Sequence, residues 1–439
     1  MEQRPSFPAD VERALARLLA AGIRVHVVGG ALRDTLLGRE VRDFDFVVES
    51  QLEAAQRAVP EAIAIFAHTP VLVIPVAHGG SRIEITVLRG GARSLEEDLR
   101  RRDFTLNAIA FDPRAGTYVD PLDGRGDLAA RRLRAADPRR AFRDDAIRIL
   151  RGIRLSIELE LEVDPETAAA MEREAWRLHE APGERRRDEL LRLLGLSRPS
   201  RGIELLRAVG ALGPLLPELL RGVGIAQNRY HREDVFRHTL RVCDTVRPDP
   251  LLRLAALLHD VAKPESKSFA SKTKDFAFAR HDILGVAHVR RVAKRLRLSR
   301  RFESRVERLV RHHLLLPERL KTDAAIRRML RRAGRDILPD LLELRRADLA
   351  SRDPDGRTPG DWEAIEGRIR ELERTASAAS PVALAIGGRE IMQELGIPEG
   401  PEVGRWLRRV ARRVLERPAE NDRERLLAWL REARKAEAE

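Results

Sequence analysis

At 439 residues the chain is too long for one hydrophobic core, so two or three domains are expected. A single cysteine, Cys243, excludes an internal disulfide framework and suits a reducing cytoplasm, and 43% hydrophobic content is that of an ordinary globular protein. A net charge of +13 fits a phosphate-rich partner, although an arginine excess with no lysine before Lys263 also arises from genome base composition.

The first ten residues carry acids and prolines without an apolar core, which does not describe a signal peptide. Residues 11–22 have amphipathic helical spacing. A β-type run at 24–28 ends in Gly29-Gly30, residues 31–37 predict a helix, and residues 43–48 alternate as a strand. The most apolar stretch, 62–77, is interrupted by His68, Pro70 and Pro75 and is too short to span a membrane. Strands are predicted at 71–76 and 82–88 around a turn at Gly79-Gly80. From Ala141 to the end, helical patterns dominate. Breaks near 195–199 and 222–228 mark subdomain limits, 351–361 reads as a loose segment, and the last helix is expected to fray after Ala433.

The chemistry gathers first around residues 27–45. Gly29 and Gly30 follow a strand and precede a helix, where a bare backbone can approach phosphate and helix N–H groups are available to it. Arg33, one turn on, adds a charge-assisted contact to a triphosphate. Asp43 and Asp45 lie two apart on a strand, so their carboxylates share one side and Phe44 and Phe46 take the other. Paired carboxylates on a rigid strand suit Mg²⁺. Glu84, between Ile83 and Ile85, is either a third carboxylate or an exposed strand position.

The run Gly29-Gly30-x-x-Arg33-Asp34-x-Leu-Leu-Gly38 with Asp43-x-Asp45 resembles the class II tRNA nucleotidyltransferase and bacterial poly(A) polymerase family. Further motifs follow in the family's order. Arg101-Arg102-Asp103-Phe-Thr-Leu-Asn107-Ala108 is similar to the second motif, which implies that Arg102 and Asp103 read the ribose and that Asn107 belongs to the nucleotide site. Asp120-Pro-Leu-Asp-Gly124-Arg-Gly-Asp127-Leu128 resembles the connector. Phe142-Arg-Asp144-Asp145-Ala-Ile-Arg148-Ile-Leu-Arg151-Gly-Ile-Arg154 resembles the base-selecting motif, with Asp144 where the family usually has Glu. Glu184-Arg-Arg-Arg-Asp-Glu189-Leu190 resembles the fifth motif, which supports the neck.

The resemblance implies an α+β chain. Its parts are a small polymerase-β-like nucleotidyltransferase head (1–140), an all-α neck for base selection and RNA binding (141–222), an HD-type metal-binding helical domain (223–352) and a helical C-terminal tail (353–439). It implies template-independent addition of CCA, or of CC only, to the 3′ end of tRNA from CTP and ATP. Asp43 and Asp45 hold Mg²⁺; Gly29, Gly30, Arg33, Arg102, Asp103, Asn107, Asp145, Arg148, Arg151 and Arg154 hold the nucleotide. Asp145 and Arg148, three apart on a helix, share a face, where a carboxylate and a guanidinium can select the amine-bearing bases C and A; the bland alternative is a helix-surface ion pair. One departure stands out. Relatives that add all of CCA carry a flexible loop before the second motif, whereas here Arg89-Gly-Gly-Ala-Arg-Ser94 leads almost at once into that motif. A CC-adding specialist is therefore open.

In the helical body His238, His259-Asp260 and Asp348 resemble the HD phosphohydrolase pattern. The preceding helix is apolar until His259 and Asp260 and stops at Pro264. Imidazole and carboxylate ligands suit Mn²⁺, Fe²⁺, Ni²⁺, Co²⁺ or Zn²⁺. Lys263 contacts a substrate phosphate or caps the helix. His281 and His313, preferred over His312 by spacing, are further candidates, and an active centre would act on phosphorylated or cyclic RNA ends. The basic run 290–301 has helical spacing and one face suited to an RNA backbone. Three readings compete with tRNA nucleotidyltransfer: a poly(A) polymerase, an HD phosphohydrolase whose head only binds nucleotide or RNA, and an RNA-binding protein without turnover.

Overall fold

The computed structural model describes residues 5–41, 43–65, 70–75, 82–272, 274–316, 319–352, 361–378 and 384–438. The chain divides into two compact units. One runs to Leu220 and includes Arg295–Arg297; the other comprises Arg221–Lys294 and Leu298–Glu439.

In the first unit α1 (Ala9–Ala20) buries Val11, Ala14, Leu15 and Leu18, which recur at helical spacing. There follow β1 (Val25–Val28), α2 (Gly30–Leu36), β2 (Asp43–Val48), α3 (Leu52–Ala58), β3 (Ile63–Ile65), β4 (Val71–Pro75), β5 (Arg82–Val87), α4 (Leu95–Arg100), β6 (Ala110–Asp112) and β7 (Thr117–Val119). The strands form one sheet in the order β3-β4-β5-β2-β1-β6-β7. Only β2 and β5 pair in parallel. The turn expected at Gly79-Gly80 lies outside the described residues.

Alternation along β2 sets the two faces of this sheet. Phe44, Phe46 and Val48 enter a core shared with α1 and α3. Val47 points the other way and joins Val28, Leu95, Leu99, Ala108 and Ala110 beneath α4. On that second face exposure rises from buried Val47 through half-buried Asp45 to exposed Asp43. The carboxylates therefore emerge where the cover of α4 ends.

The remainder of this unit is α5 (Gly124–Ala129), a parallel pair of β8 (Arg132–Leu133) and β9 (Glu162–Val163), and the helices α6 (Ala141–Asp144), α7 (Ile147–Glu158), α8 (Pro165–Glu174), α9 (Gly183–Leu194), α10 (Pro199–Ala208), α11 (Leu212–Leu215) and α12 (Pro217–Leu220). The break at 195–199 is the turn between α9 and α10. Gly152 lets α7 close on Phe104, the neighbour of Asp103. A Cβ there would stand 2.5 Å from Phe104 Cζ and 2.6 Å from Met171 Cε. Gly152→Ala is expected to destabilise the fold by about 1–3 kcal/mol through overpacking, read as a lower Tm by calorimetry.

The second unit begins with α13 (Val235–Thr245), capped by Asp234, and α14 (Pro250–Leu258), capped by Asp249 with Pro250 in its first turn. After α15 (Lys263–Ser266) comes a hairpin of β10 (Lys267–Ala270) and β11 (Asp275–Phe278). Helical patterning from Ala141 onward does not anticipate it, yet the alternating aromatics at 269, 276 and 278 around a polar turn are the signal that would have.

Next are α16 (His281–Arg295), α17 (Arg300–His312), α18 (Asp323–Ala333) and α19 (Leu338–Ala350). The basic run 290–301 is thus not one helix. The chain turns through Arg297 at φ 51° and restarts with Ser299 capping α17. Several of its cations are also engaged: Arg290 Nε lies 2.7 Å from Glu307, and Arg295 bonds both carboxylate oxygens of Glu218. The segment expected to be loose, 351–361, falls mostly on 353–360, outside the described residues. The tail comprises α20 (Asp361–Ala378), α21 (Gly388–Leu395), α22 (Pro401–Glu416) and α23 (Arg423–Ala438). The last three share a core around Trp406, Val410, Leu426 and Leu430. The stretch expected to fray after Ala433 lies beyond that core, yet α23 runs to Ala438, with Arg434 paired to Glu402 and Glu437 to Arg409. No helix among the described residues is long and apolar enough to cross a membrane.

Candidate active site and metal centre

Asp43 and Asp45 share one face of β2, and the parallel register sets Glu84 of β5 directly beside Asp45. This register makes Glu84 a third acid at the site and not merely an exposed strand position. Arg82 Nε lies 2.8 Å from Glu84 and 3.6 Å from Asp43, the place a bound cation would contest. Burial pushes the Asp45 carboxyl above the ordinary carboxylate range. Glu84 and Asp43 push the same way, and Arg102 and Arg89 oppose them. Three acids of which the central one is costly to ionise are a donor set that suits a hard divalent cation.

Gly29 is required here twice over. Its φ is +78°, and a Cβ would stand 3.0 Å from Asp45 Oδ2 and 3.1 Å from an Arg102 guanidinium nitrogen. Arg102 is buried between Asp45 and Asp98 (3.3 Å), so it faces the carboxylates. Arg33 donates to both oxygens of Asp34 and to Asn107 Oδ1 at 2.8 Å.

From Asn107 the polar chain continues into the helices. Asn107 donates to Asp103 Oδ1 (2.9 Å), and Arg151 donates to Asp103 Oδ2 (3.0 Å). Burial alone would push the Asp103 carboxyl up, but Arg151 and Asn107 hold it below the usual range. Arg151 and Arg154 also reach Glu189 of α9, at 3.5 and 2.8 Å. Arg33, Asn107, Asp103, Arg151, Glu189 and Arg154 therefore form one connected scaffold.

The expected Asp145–Arg148 helix face is not what forms. Asp145 lies in extended backbone between α6 and α7, at φ −153°. Its side chain caps Ile147 and is held by Arg185 of α9 at 2.7 and 3.2 Å. Arg148 instead donates to the Arg101 carbonyl at 3.1 Å. The fifth motif supplies the partner because α9 packs on α7, which spacing within one motif cannot reveal.

Between Val87 and α4 only a short, mostly exposed turn, 88–94, remains. Arg89 N–H donates to Asp98 Oδ1 (2.8 Å), Glu97 N–H donates to the capping Ser94 hydroxyl (3.2 Å), and Arg101 bonds the Gly90 carbonyl.

In the second unit His238, His259, Asp260, His281, His313 and Asp348 come together in the interior with His231, which sequence reasoning missed. His231 stands in an irregular segment, so no helical spacing marks it. Three overlapping ligand sets result: His231–His238–Asp348, His238–His259–Asp260 and Asp260–His281–His313. His312 belongs to none of them.

The ring orientations are ordered. The Nδ1 atoms of His259, His281 and His313 bond the carbonyls of Ala256 (2.7 Å), Phe278 (2.6 Å) and Val310 (2.7 Å). Each Nε2 is left directed into the cluster, the orientation typical of ligating histidines. His281 Nε2 lies 3.2 Å from Asp260 Oδ1, and His238 Nε2 lies 3.3 Å from Asp348. His238 Nε2, His259 Nε2 and Asp260 Oδ2 are buried without a hydrogen-bond partner. Lys263 Nζ does stand 2.6 Å from Asp260 Oδ2, but as an ion pair off the hydrogen-bonding direction; its directed bond is to Gln227.

Burial would push Asp260 and Asp348 up, yet nearby cations hold both well below the carboxylate range. Burial also brings His313 down to about 4 and His231 to about 3. Burial lowers His238 as well, whereas at His259 it is outweighed by Asp260, which holds that ring above its usual range. Ionised acids, imidazoles turned toward them and orphaned buried atoms fit a divalent metal. A cavity of about 250 Å³ lined by His231, Arg232, Glu233, His238, Arg241, Ser351 and Arg352 opens onto the cluster.

The sequence matches three known families. The "Poly A polymerase head domain" covers residues 25–134, the "Probable RNA and SrmB-binding site of polymerase A" covers 160–221, and the "HD domain" covers 229–353. An A-adding tRNA nucleotidyltransferase of Deinococcus radiodurans is 36% identical over 405 residues, covering 88% of this chain and 90% of that protein. A CC-adding tRNA nucleotidyltransferase of Thermus thermophilus is 36% identical over 399 residues, covering 87% of each. The structure of the Bacillus stearothermophilus CCA-adding enzyme in complex with CTP superposes with a TM-score of 0.69 at 26% identity, over 98% of this chain and 99% of that one. By sequence over nearly its whole length, and by fold, this chain belongs to the class II tRNA nucleotidyltransferase family.

Proposed function

We propose that this enzyme adds nucleotides to the 3′ end of tRNA without a nucleic-acid template, and that it adds CC only. The observation that carries the reaction is the Asp43–Asp45–Glu84 carboxylate group beside the Gly29 turn. Asp43 and Asp45, with Glu84 adjacent, would hold Mg²⁺, which when bound would supply activation of the attacking 3′-hydroxyl and charge neutralisation of the departing pyrophosphate. Gly29 and Gly30 let the backbone approach the triphosphate of CTP or ATP. Arg33, anchored by Asp34 and Asn107, adds positive charge. Arg102 offsets charge beside Asp45; Asp103 and Asn107, braced by Arg151 and Arg154, take the ribose. Asp145, held by Arg185, and Arg148 select the base.

Relatives of both C-adding and A-adding type are equally identical to this chain, so identity does not choose between them. The short, internally bonded 88–101 segment favours CC addition, because the resemblance assigns terminal A addition to enzymes with a flexible loop there. The test is incorporation on tRNA ending at the discriminator base, with CTP, ATP, UTP and GTP singly and together, and the products sequenced. Two cytidines and a stop are expected. A terminal A would overturn the CC assignment, and long A tails on any RNA would replace it with poly(A) polymerase activity.

The head (1–140), neck (141–222), HD domain (223–352) and tail (353–439) are proposed as the functional divisions of a cytoplasmic protein. The His/Asp cluster is proposed to hold a divalent transition metal, Mn²⁺, Fe²⁺, Co²⁺, Ni²⁺ or Zn²⁺, and to hydrolyse phosphoesters at RNA ends.

A further inference from the structure

Beside the His/Asp cluster stands the β10–β11 hairpin, whose side chains have no part in the function described so far. Its register pairs Lys267 with Phe278 and Phe269 with Phe276, and cross-strand partners project from the same face. The contacts agree with that register. Lys267 Nζ lies 3.8 Å from the centre of the Phe276 ring, and the Phe269 and Phe276 rings meet edge to face at 6.1 Å. One end of this ladder is tied to the cluster. The Phe278 carbonyl holds His281 Nδ1, and Lys263, the ion-pair partner of Asp260, stands 5.4 Å over the Phe278 ring. The far end is open: Phe269 is 65% exposed and Phe276 36%. Asp275, at the start of β11, is bonded by Arg229, two residues before His231 of the same cluster.

A surface pair of phenylalanines is unusual in a chain with 4% aromatic residues, and leaving it in water is unfavourable. The setting is cationic. Four of the seven lysines of the whole chain, Lys263, Lys267, Lys272 and Lys274, fall within this short stretch. An acidic peptide would use the cations and leave the rings uncovered. Ring faces flanked by lysines suit a base with its phosphate. The Phe269–Phe276 pair is two residues along the ladder from Lys267–Phe278, about 7 Å, on the scale of one nucleotide.

We propose that Phe269 and Phe276 form a stacking platform for the nucleobase of a ribonucleotide phosphoester whose phosphate is directed past Lys267 and Lys263 to the His/Asp cluster. This rests on the reading of that cluster as a phosphoesterase, and it makes the preferred substrate a nucleotide or RNA end, not an isolated phosphate.

The direct test uses the full chain and a short oligoribonucleotide ending in 5-iodouridine 3′-phosphate. Irradiation and peptide mapping should place a crosslink within residues 267–280, lost in the double variant Phe269→Leu, Phe276→Leu. Crosslinks confined to other peptides would overturn the platform. A second measurement compares adenosine 2′,3′-cyclic monophosphate with bis(p-nitrophenyl) phosphate in Mn²⁺, Co²⁺ or Ni²⁺. The double variant should lower the kcat/KM ratio for the nucleotide over the aryl ester by about tenfold, mostly through KM, within the range of one lost stacking contact. An unchanged ratio would also overturn it. If the wild-type chain hydrolyses neither ester, the phosphoesterase reading fails, and the crosslink alone decides whether the platform stands.

Discussion

Asp45→Ala is expected to lower nucleotide incorporation into tRNA by about a thousandfold or more, with the fold intact. The magnitude follows from losing a metal ligand, because cation stabilisation of developing charge is worth several kcal/mol and each 1.36 kcal/mol is tenfold in rate. Asp45 is the central acid: it is half-buried, flanked in register by Glu84, and its carboxyl is raised by burial and by the two neighbouring acids. The same environment yields a second, opposite expectation for stability. At neutral pH an ionised Asp45 is unfavourable without a cation, so Asp45→Asn in EDTA should melt at the wild-type temperature or above it. A merely structural carboxylate would show the reverse, lower Tm with activity retained. Incorporation within tenfold of wild type in Asp45→Ala would remove the head from the chemistry and leave it a binding domain.

Asp260→Ala is the second large effect, and it concerns metal content. Asp260 belongs to two of the three ligand sets in the cluster. Elemental analysis of the purified variant should show transition metal below about one tenth of the wild-type stoichiometry, and phosphoester hydrolysis should disappear with it. A stability loss of about 3–5 kcal/mol is expected as well, because Lys263 is buried and its ionic partner would be gone. His259→Ala separates the two effects: it removes a ligand while leaving Asp260 and Lys263 paired, so metal should be lost with a smaller drop in Tm. Wild-type metal content in both variants would make the cluster a polar core. Together with Asp45→Ala the set also decides between a nucleotidyltransferase and a phosphohydrolase with a binding head, since the latter would survive loss of Asp45 and fail with loss of Asp260.

Much of the candidate site is local in origin. The spacing of Asp43 and Asp45 on an alternating strand suffices to send both carboxylates to one side, and Phe44 and Phe46 are buried on the other. The pair His259-Asp260 at the end of an apolar helix is equally visible, and spacing separates His313 from His312. Other features depend on chain segments far apart. Glu84 becomes the neighbour of Asp45 through a parallel register with β5, and Asp145 meets Arg185 through the packing of α7 on α9. The single helix expected through 290–301 breaks at Arg297, a left-handed residue in a stretch whose composition alone favours helix.

By itself the sequence determined the family, through ordered motifs, and the direction in which each short element presents its acids and histidines. Such directions follow from the repeats of strand and helix, two and 3.6 residues, which any local window contains. Tertiary structure alone decided which presented groups meet: Glu84 beside Asp45, Arg185 on Asp145, His231 in the cluster, and the Phe269–Phe276 pair at its margin. Those meetings depend on strand register and on the packing of helices distant in the chain, and no local pattern encodes the contact that results.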